Sequence, residues 1–200
     1  MARPRNFDET AVLDAAAAEF RVHGFADTST EQLCEASGVR RGSLYNAFTS
    51  KDELFVQALE RYATTFRERQ AVILTDTERT GAERLRAVLD AIVQEEHAAA
   101  EHLHGAGCMV VHAMMNPDLR ERDERIGSIL DRDLRERLSL LEGAIRAGQI
   151  DGSVPAEVDP AEGALLFVTV VSGLRVMGQA GTAPDTLHRV ALAGIATLID

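Results

Sequence analysis

The sequence predicts an all-α protein of about nine helices: an N-terminal three-helix bundle carrying a helix-turn-helix, then a larger C-terminal helical region. Three observations carry this. Between Thr28 and Leu54 the chain offers three helix starts, each separated from the next by a stop. Downstream, apolar residues recur at helical spacing in every long segment. No stretch alternates with the period of two that marks a half-buried strand.

The first helix runs from about Asp8 to His23, with Leu13, Ala16, Ala17 and Phe20 on one face, and Gly24 ends it. Ser29 caps the second, with Gln32 as its capping-box partner. Leu33, Ala36 and Ser37 form its stripe, and Gly38 is a left-handed stop. The third helix carries Arg40-Arg41-Gly42-Ser43-Leu44-Tyr45-Asn46, with Leu44 and Phe48 facing inward at i, i+4. A short helix, a tight turn and a second short helix can place the second one in a DNA major groove. Ser50 and Glu53 form another capping box for a helix from Lys51 to about Ile73. Its Leu54, Ala58 and Tyr62 keep helical spacing, and it is long enough to link two domains, 1–54 and 55–200.

Thr75–Gly81 is a polar linker. The fifth helix places Leu85, Val88, Leu89, Ile92 and Val93 on one side. His97, His102 and His104 follow near Glu95, Glu96 and Glu101, without the i, i+4 histidine pair of a metal site, so a solvated helix end is expected and no metal. The sixth helix, Cys108–Met115, is apolar nearly all round. Its methionines make it adaptable, and His112 is either a satisfied core residue or the anchor of a ligand pocket. Met109, His112 and Met114 are the candidate ligand-binding residues for a small, largely apolar molecule among helices five to eight.

Asn116 and Pro117 open a seventh helix to about Ala147, striped by Ile126, Leu130, Leu134, Leu138, Leu141 and Ile145, with Gly148 and Asp151–Gly152 as its stop. Asp159-Pro160-Ala161-Glu162 opens the eighth. From Gly163 to Met177 the only charge is Arg175 and every face is apolar. That is too short for a membrane span and too apolar for a surface helix, which predicts burial against both the protein's own domain and a second subunit. Phe167, Val170, Val171, Leu174 and Met177 are the candidate dimer contacts, completed by an amphipathic ninth helix, Asp185–Leu198.

The net charge of −11 argues against nucleic acid when taken globally, and residues 1–54 hold six Arg or Lys against nine Asp or Glu. Yet phosphate contact depends on where cations sit, and Arg3, Arg5, Arg40, Arg41 and Lys51 would share one face. Cys34 and Cys108 form neither a disulfide framework nor a metal-ligand spacing, and buried thiols are expected. With no signal-peptide pattern and no membrane-length run, a cytosolic protein is expected. The absence of a phosphate loop, a nucleophile motif and a ligand set predicts no enzyme and no cofactor.

Thr28–Ser29, Leu33–Cys34, Ser37–Gly38–Val39, Gly42–Ser43–Leu44–Tyr45, Phe48 and Ser50–Lys51 together resemble the DNA-binding core of the TetR family of bacterial transcription regulators. The pattern departs at Arg40, where Ser or Thr is usual, and at Ala47, where His or Tyr is common. The resemblance implies a homodimer through the last two helices and a small-molecule effector among the middle ones, whose binding releases a palindromic operator in double-stranded DNA. It implies hydroxyl contacts to phosphate from Thr28 and Ser29, a phosphate contact from Tyr45, and a cation at Lys51. Arg40, Arg41, Ser43 and Asn46 become candidate base readers, since Arg suits guanine and Asn adenine. Gly42 would let the backbone approach the DNA, and Arg3 and Arg5 would extend an arm to it. The competing reading is a helical metal- or small-molecule-binding interaction protein without sequence-specific DNA binding.

Overall fold

The computed structural model describes residues 7–101 and 107–199, and among them it holds eleven helices and no strand. They fall into two compact units. Among the described residues, one comprises 7–64 and 108–130, the other 65–101, 107 and 131–199.

The first unit is built on α1 (Glu9–Asp27), α2 (Thr30–Ser37), α3 (Arg41–Phe48) and the first part of α4 (Lys51–Leu74). Asp8 caps α1, and Val12, Ala16, Ala17 and Phe20 are its buried face. Gly24 leaves helical geometry with φ 73°, as a stop at that position requires, and one more turn follows to Asp27. These residues share a core with Leu33, Val39, Leu44, Phe48, Leu54, Phe55 and Leu59. Ala36 is exposed, so the buried face of α2 reduces to Leu33 with Cys34 beside it.

Two further short helices close the unit, α6 (Met109–Met114) and α7 (Pro117–Arg122), together with the start of α8 (Glu124–Asp151). Met109, Val110, Ala113, Leu119, Ile126, Ile129 and Leu130 join the same core. The single helix expected from residue 116 to 147 is therefore two. Asp123 adopts an extended conformation, and its side chain accepts from Arg125 N at 2.9 Å, so a short acidic residue caps α8 where continuous helix was expected.

Ion pairs tie α7 and α8 to the first turn of α4. Arg122 pairs with Asp52, and Arg125 Nη2 reaches Glu53 Oε2 at 2.9 Å. The Ser50 hydroxyl accepts from Glu53 N, but the Glu53 carboxylate is taken up by Gln57 and Arg125, so the cap at Ser50 is one-sided. The hydrogen bond from Arg122 holds the Asp52 carboxyl below its usual range. A depressed carboxyl stabilises the fold above its unfolded pKa and loses that contribution as pH falls through the folded value. Arg122→Ala is thus expected to melt earlier than wild type near neutral pH, and the deficit should close below about pH 4. Thermal melts from about pH 3 to 7 check this. A deficit that ignores pH would assign Arg122 to packing alone.

The second unit contains the rest of α4, α5 (Gly81–Glu101), the rest of α8, α9 (Pro160–Gln179), α10 (Pro184–Gly194) and α11 (Ala196–Ile199). Its core gathers Leu85, Val88, Leu89 and Ile92 of α5, Leu141 and Ile145 of α8, and Phe167, Val171 and Leu174 of α9. Helix α8 runs through Gly148 and stops at Gly152, whose φ is 80°. Gly148 is there for contact instead: a Cβ on Gly81 would lie 2.3 Å from its Cα. Among the described residues, four charged side chains are buried in this unit: Glu96, Asp133, Arg137 and Arg175. Asp133 lies between Arg137 at 2.9 Å and Arg67 at 3.6 Å, and burial pushes its carboxyl up. Arg175 of α9 pairs with Glu96 and Glu95 of α5.

Candidate nucleic-acid interface

The helix-turn-helix is fixed by local chemistry. Ser29 Oγ accepts from Gln32 N at 3.2 Å while Gln32 Oε1 accepts from Ser29 N at 2.7 Å, completing the capping box of α2. Gly38 takes the left-handed conformation at φ 66° and its N–H donates to the Glu35 carbonyl. The turn that follows delivers Arg40 to the N-cap of α3, where its side chain makes no capping hydrogen bond.

Burial of Leu44 and Phe48 fixes which side of α3 faces outward. Arg40, Arg41, Gly42, Ser43 and Asn46 are all exposed. A Cβ on Gly42 would meet nothing within 4 Å, so no internal contact demands glycine there. Tyr45 is half-buried, with its hydroxyl 2.8 Å from Thr30 Oγ1 and the Arg41 guanidinium 5.8 Å from its ring centre. Thr30 escaped the sequence reading because its partner lies on another helix. Ser29 is exposed.

Thr28 is different. It is fully buried, and its hydroxyl donates to the Gly24 carbonyl at 2.6 Å. It closes the turn after α1 and has no face left for phosphate. Lys51 sits at the start of α4 with Nζ 3.4 Å from the Ala26 carbonyl and 4.6 Å from the Phe25 ring centre. Burial lowers its pKa. The Arg122 guanidinium lies 5.0 Å from the same ring, so Phe25 is shared by two basic side chains. Arg3 and Arg5 lie outside the described residues, as do His102 and His104.

Of the other candidate residues, the structure brings some together and separates others. Met109 and His112 line a cavity of about 350 Å³ in the first unit, with Phe20, Phe25 and Phe55. Met114 is exposed and does not line it, whereas Met115 does. On α9, Phe167, Val171 and Leu174 belong to the protomer's own core and Val170 packs against it; of the five candidate dimer contacts only Met177 is exposed. The exposed apolar stripe runs instead through Leu165, Leu166, Val176 and Met177, with Val190 exposed on α10. By length and composition α9 could cross a membrane, but its other face fills the core and Arg175 lies buried on Glu96. Cys34 and Cys108 are free thiols, half-buried and buried. Among the described residues no three His, Cys, Asp or Glu side chains are arranged to hold a metal ion.

Comparison with known proteins gives the same outline. The family model for bacterial regulatory proteins of the tetR family matches residues 12–58, and that for the tetracyclin repressor-like C-terminal domain matches residues 81–193. The HTH-type transcriptional repressor ComR of Escherichia coli is 27% identical over 191 residues, covering 94% of this chain and 88% of ComR. The HTH-type transcriptional repressor KstR2 of Rhodococcus jostii is 27% identical over 151 residues, covering 75% and 69%. A cysteine mutant of the TetR family transcriptional regulator CifR, solved in complex with 26-base-pair double-strand operator DNA, superposes with a TM-score of 0.80 at 28% identity, covering 97% of this chain and 98% of CifR. With a helix-turn-helix at its N-terminus and a matching helical C-terminal domain, the chain belongs to the TetR family of DNA-binding transcription regulators.

Proposed function

We propose that this regulator is a repressor that binds a palindromic operator as a homodimer and lets go of it when a small, largely apolar effector binds. The observation that carries the reading is the outward face of α3: two Arg, a Gly, a Ser and an Asn, all exposed around a buried Leu44–Phe48 pair. These are donor groups suited to guanine and adenine edges in the major groove. Ser29 and the Thr30-tethered Tyr45 hydroxyl supply neutral groups for phosphate, and Lys51 adds a basic one.

The dimer is supported by the apolar stripe on α9, since a face of Leu165, Leu166, Val176 and Met177 calls for cover. ComR and KstR2 are repressors by name, and CifR is seen on operator DNA. An acidic background would keep non-specific binding weak. Such a protein works in the cytoplasm and needs no catalytic group or cofactor.

Selection from random duplexes with the purified protein tests this. The expected product is an inverted repeat whose half-sites lie about one helical turn or a multiple apart. Its affinity should fall steeply with salt. A pool with no enriched sequence would favour a helical interaction protein without operator recognition.

A further inference from the structure

We propose that two neighbouring arginines divide the work on DNA: Arg40 sets the sequence preference by reading a guanine, while Arg41 joins Tyr45 on a phosphate and reads no base. This deepens the proposed function and rests on its placing of α3 in the major groove. It narrows the set of base readers, from which Arg41 is removed.

Helical geometry separates the pair. At about 100° per residue, Gly42 and Asn46 lie roughly opposite the buried Leu44 and Phe48 and form the outermost line of α3. Arg41 lies about 140° round the helix from Asn46 but only about 40° from Tyr45. Its side chain follows that position, with the guanidinium 5.8 Å from the Tyr45 ring centre. Tyr45 is held in turn by its hydroxyl, 2.8 Å from Thr30 Oγ1. Thr30, Tyr45 and Arg41 thus form one chain of contacts on the flank of α3 that meets α2, and the Arg41 cation lies beside the hydroxyl assigned to the phosphate.

Arg40 precedes the helix. Its backbone is extended, with φ −66° and ψ 144°, and it stands at the N-terminal end of α3, the end of a recognition helix that meets base edges. It is exposed, and its guanidinium has no hydrogen-bond, ion-pair or ring partner among the described residues. For the fold, arginine is a poor residue here. An N-cap is best filled by Ser, Thr, Asp or Asn, whose side chain accepts from the first turn as Ser29 does in α2. Arg40 carries no acceptor and makes no capping bond. The lost cap has no compensation within the protein, and a base edge supplies one. The planar fork of an arginine matches guanine O6 and N7.

Selection from random duplexes, run in parallel with wild type, Arg40→Ser and Arg41→Ala, tests the division. Arg41→Ala is expected to recover the wild-type sequence. It should bind that duplex and a scrambled one more weakly by the same factor, with a salt slope shallower by about one unit per half-site. Arg40→Ser should recover a sequence in which one G·C pair of each half-site is no longer preferred. Its discrimination at that pair should fall roughly 5- to 150-fold. The same variant should melt about 2–4 °C above wild type, because the cap is restored. A merely structural Arg40 would not move stability and specificity in opposite directions. A changed sequence from Arg41→Ala, an unchanged one from Arg40→Ser, or an Arg40→Ser protein no more stable than wild type overturns the proposal. If wild type itself enriches no sequence, the operator reading falls and this division with it. If wild type enriches one and the two variants behave alike, only the division falls.

Discussion

Leu166→Glu and Met177→Glu are each expected to give monomers in sedimentation and to lower operator affinity by about a hundredfold or more, because both half-sites must be engaged together. The two residues lie three turns apart on the same face of α9, with Leu165 and Val176 beside them. Between them Gly173 has open space where a Cβ would project, so a partner helix can come close. In a two-fold interface each substitution places two unpaired carboxylates in one buried seam, a cost of several kcal/mol per charge. The exposed positions make this a clean test, since neither side chain holds the protomer together. Val171→Glu or Leu174→Glu, by contrast, should unfold it, as both are 5% exposed in the core. Ile150→Glu is the control: Ile150 is 89% exposed on α8, away from the stripe in sequence, and should leave assembly intact. Dimers that survive both α9 variants would put the interface elsewhere.

Arg175→Ala is expected to cost about 3–5 kcal/mol of stability, the largest effect of any single truncation proposed for this chain. Arg175 is 2% exposed, pairs with Glu96, reaches Glu95 Oε2 at 2.6 Å, and lies 5.3 Å from the Phe66 ring centre. Glu96, equally buried, also accepts from Gly107 N at 3.2 Å. The neighbouring Gly178 is required by this carboxylate, since a Cβ there would lie 2.8 Å from Glu96 Oε2. Removing the guanidinium leaves a buried carboxylate without its charge partner. Replacing both partners, as Arg175→Met with Glu96→Leu, should cost much less, because no buried charge then remains. Urea unfolding of the single and double variants measures the difference. A double variant as unstable as the single one would mean that shape, not charge, holds this place.

What could be read from the sequence was local. The Ser29–Gln32 box, the Gly38 stop and the inward Leu44 and Phe48 each depend on residues within one turn of one another, and the structure reproduces them. Thr28 was misplaced because its hydroxyl is satisfied by a carbonyl exposed only once Gly24 turns to positive φ. The Thr30–Tyr45 contact and the docking of Cys108–Leu130 on the first unit depend on how helices cross, which spacing alone does not encode. Helix α9 shows the limit most sharply. Because nearly every residue from Gly163 to Met177 is apolar, the sequence carries no phase, and only packing against the core decides that Phe167, Val171 and Leu174 point inward while Leu165, Leu166 and Met177 point out.

The central claim is that the exposed face of α3 reads bases while Tyr45 holds the phosphate backbone. Fluorescence anisotropy on the selected operator and on a scrambled duplex of equal length tests it most directly, with wild type, Asn46→Ala, Arg40→Ala and Tyr45→Phe side by side. Asn46→Ala and Arg40→Ala are predicted to erode the preference for the operator by about 1–3 kcal/mol per lost bidentate contact. Tyr45→Phe is predicted to weaken both duplexes alike and leave the preference unchanged. If both α3 substitutions instead leave the ratio of operator to scrambled affinity intact, α3 does not read the sequence and the account is wrong.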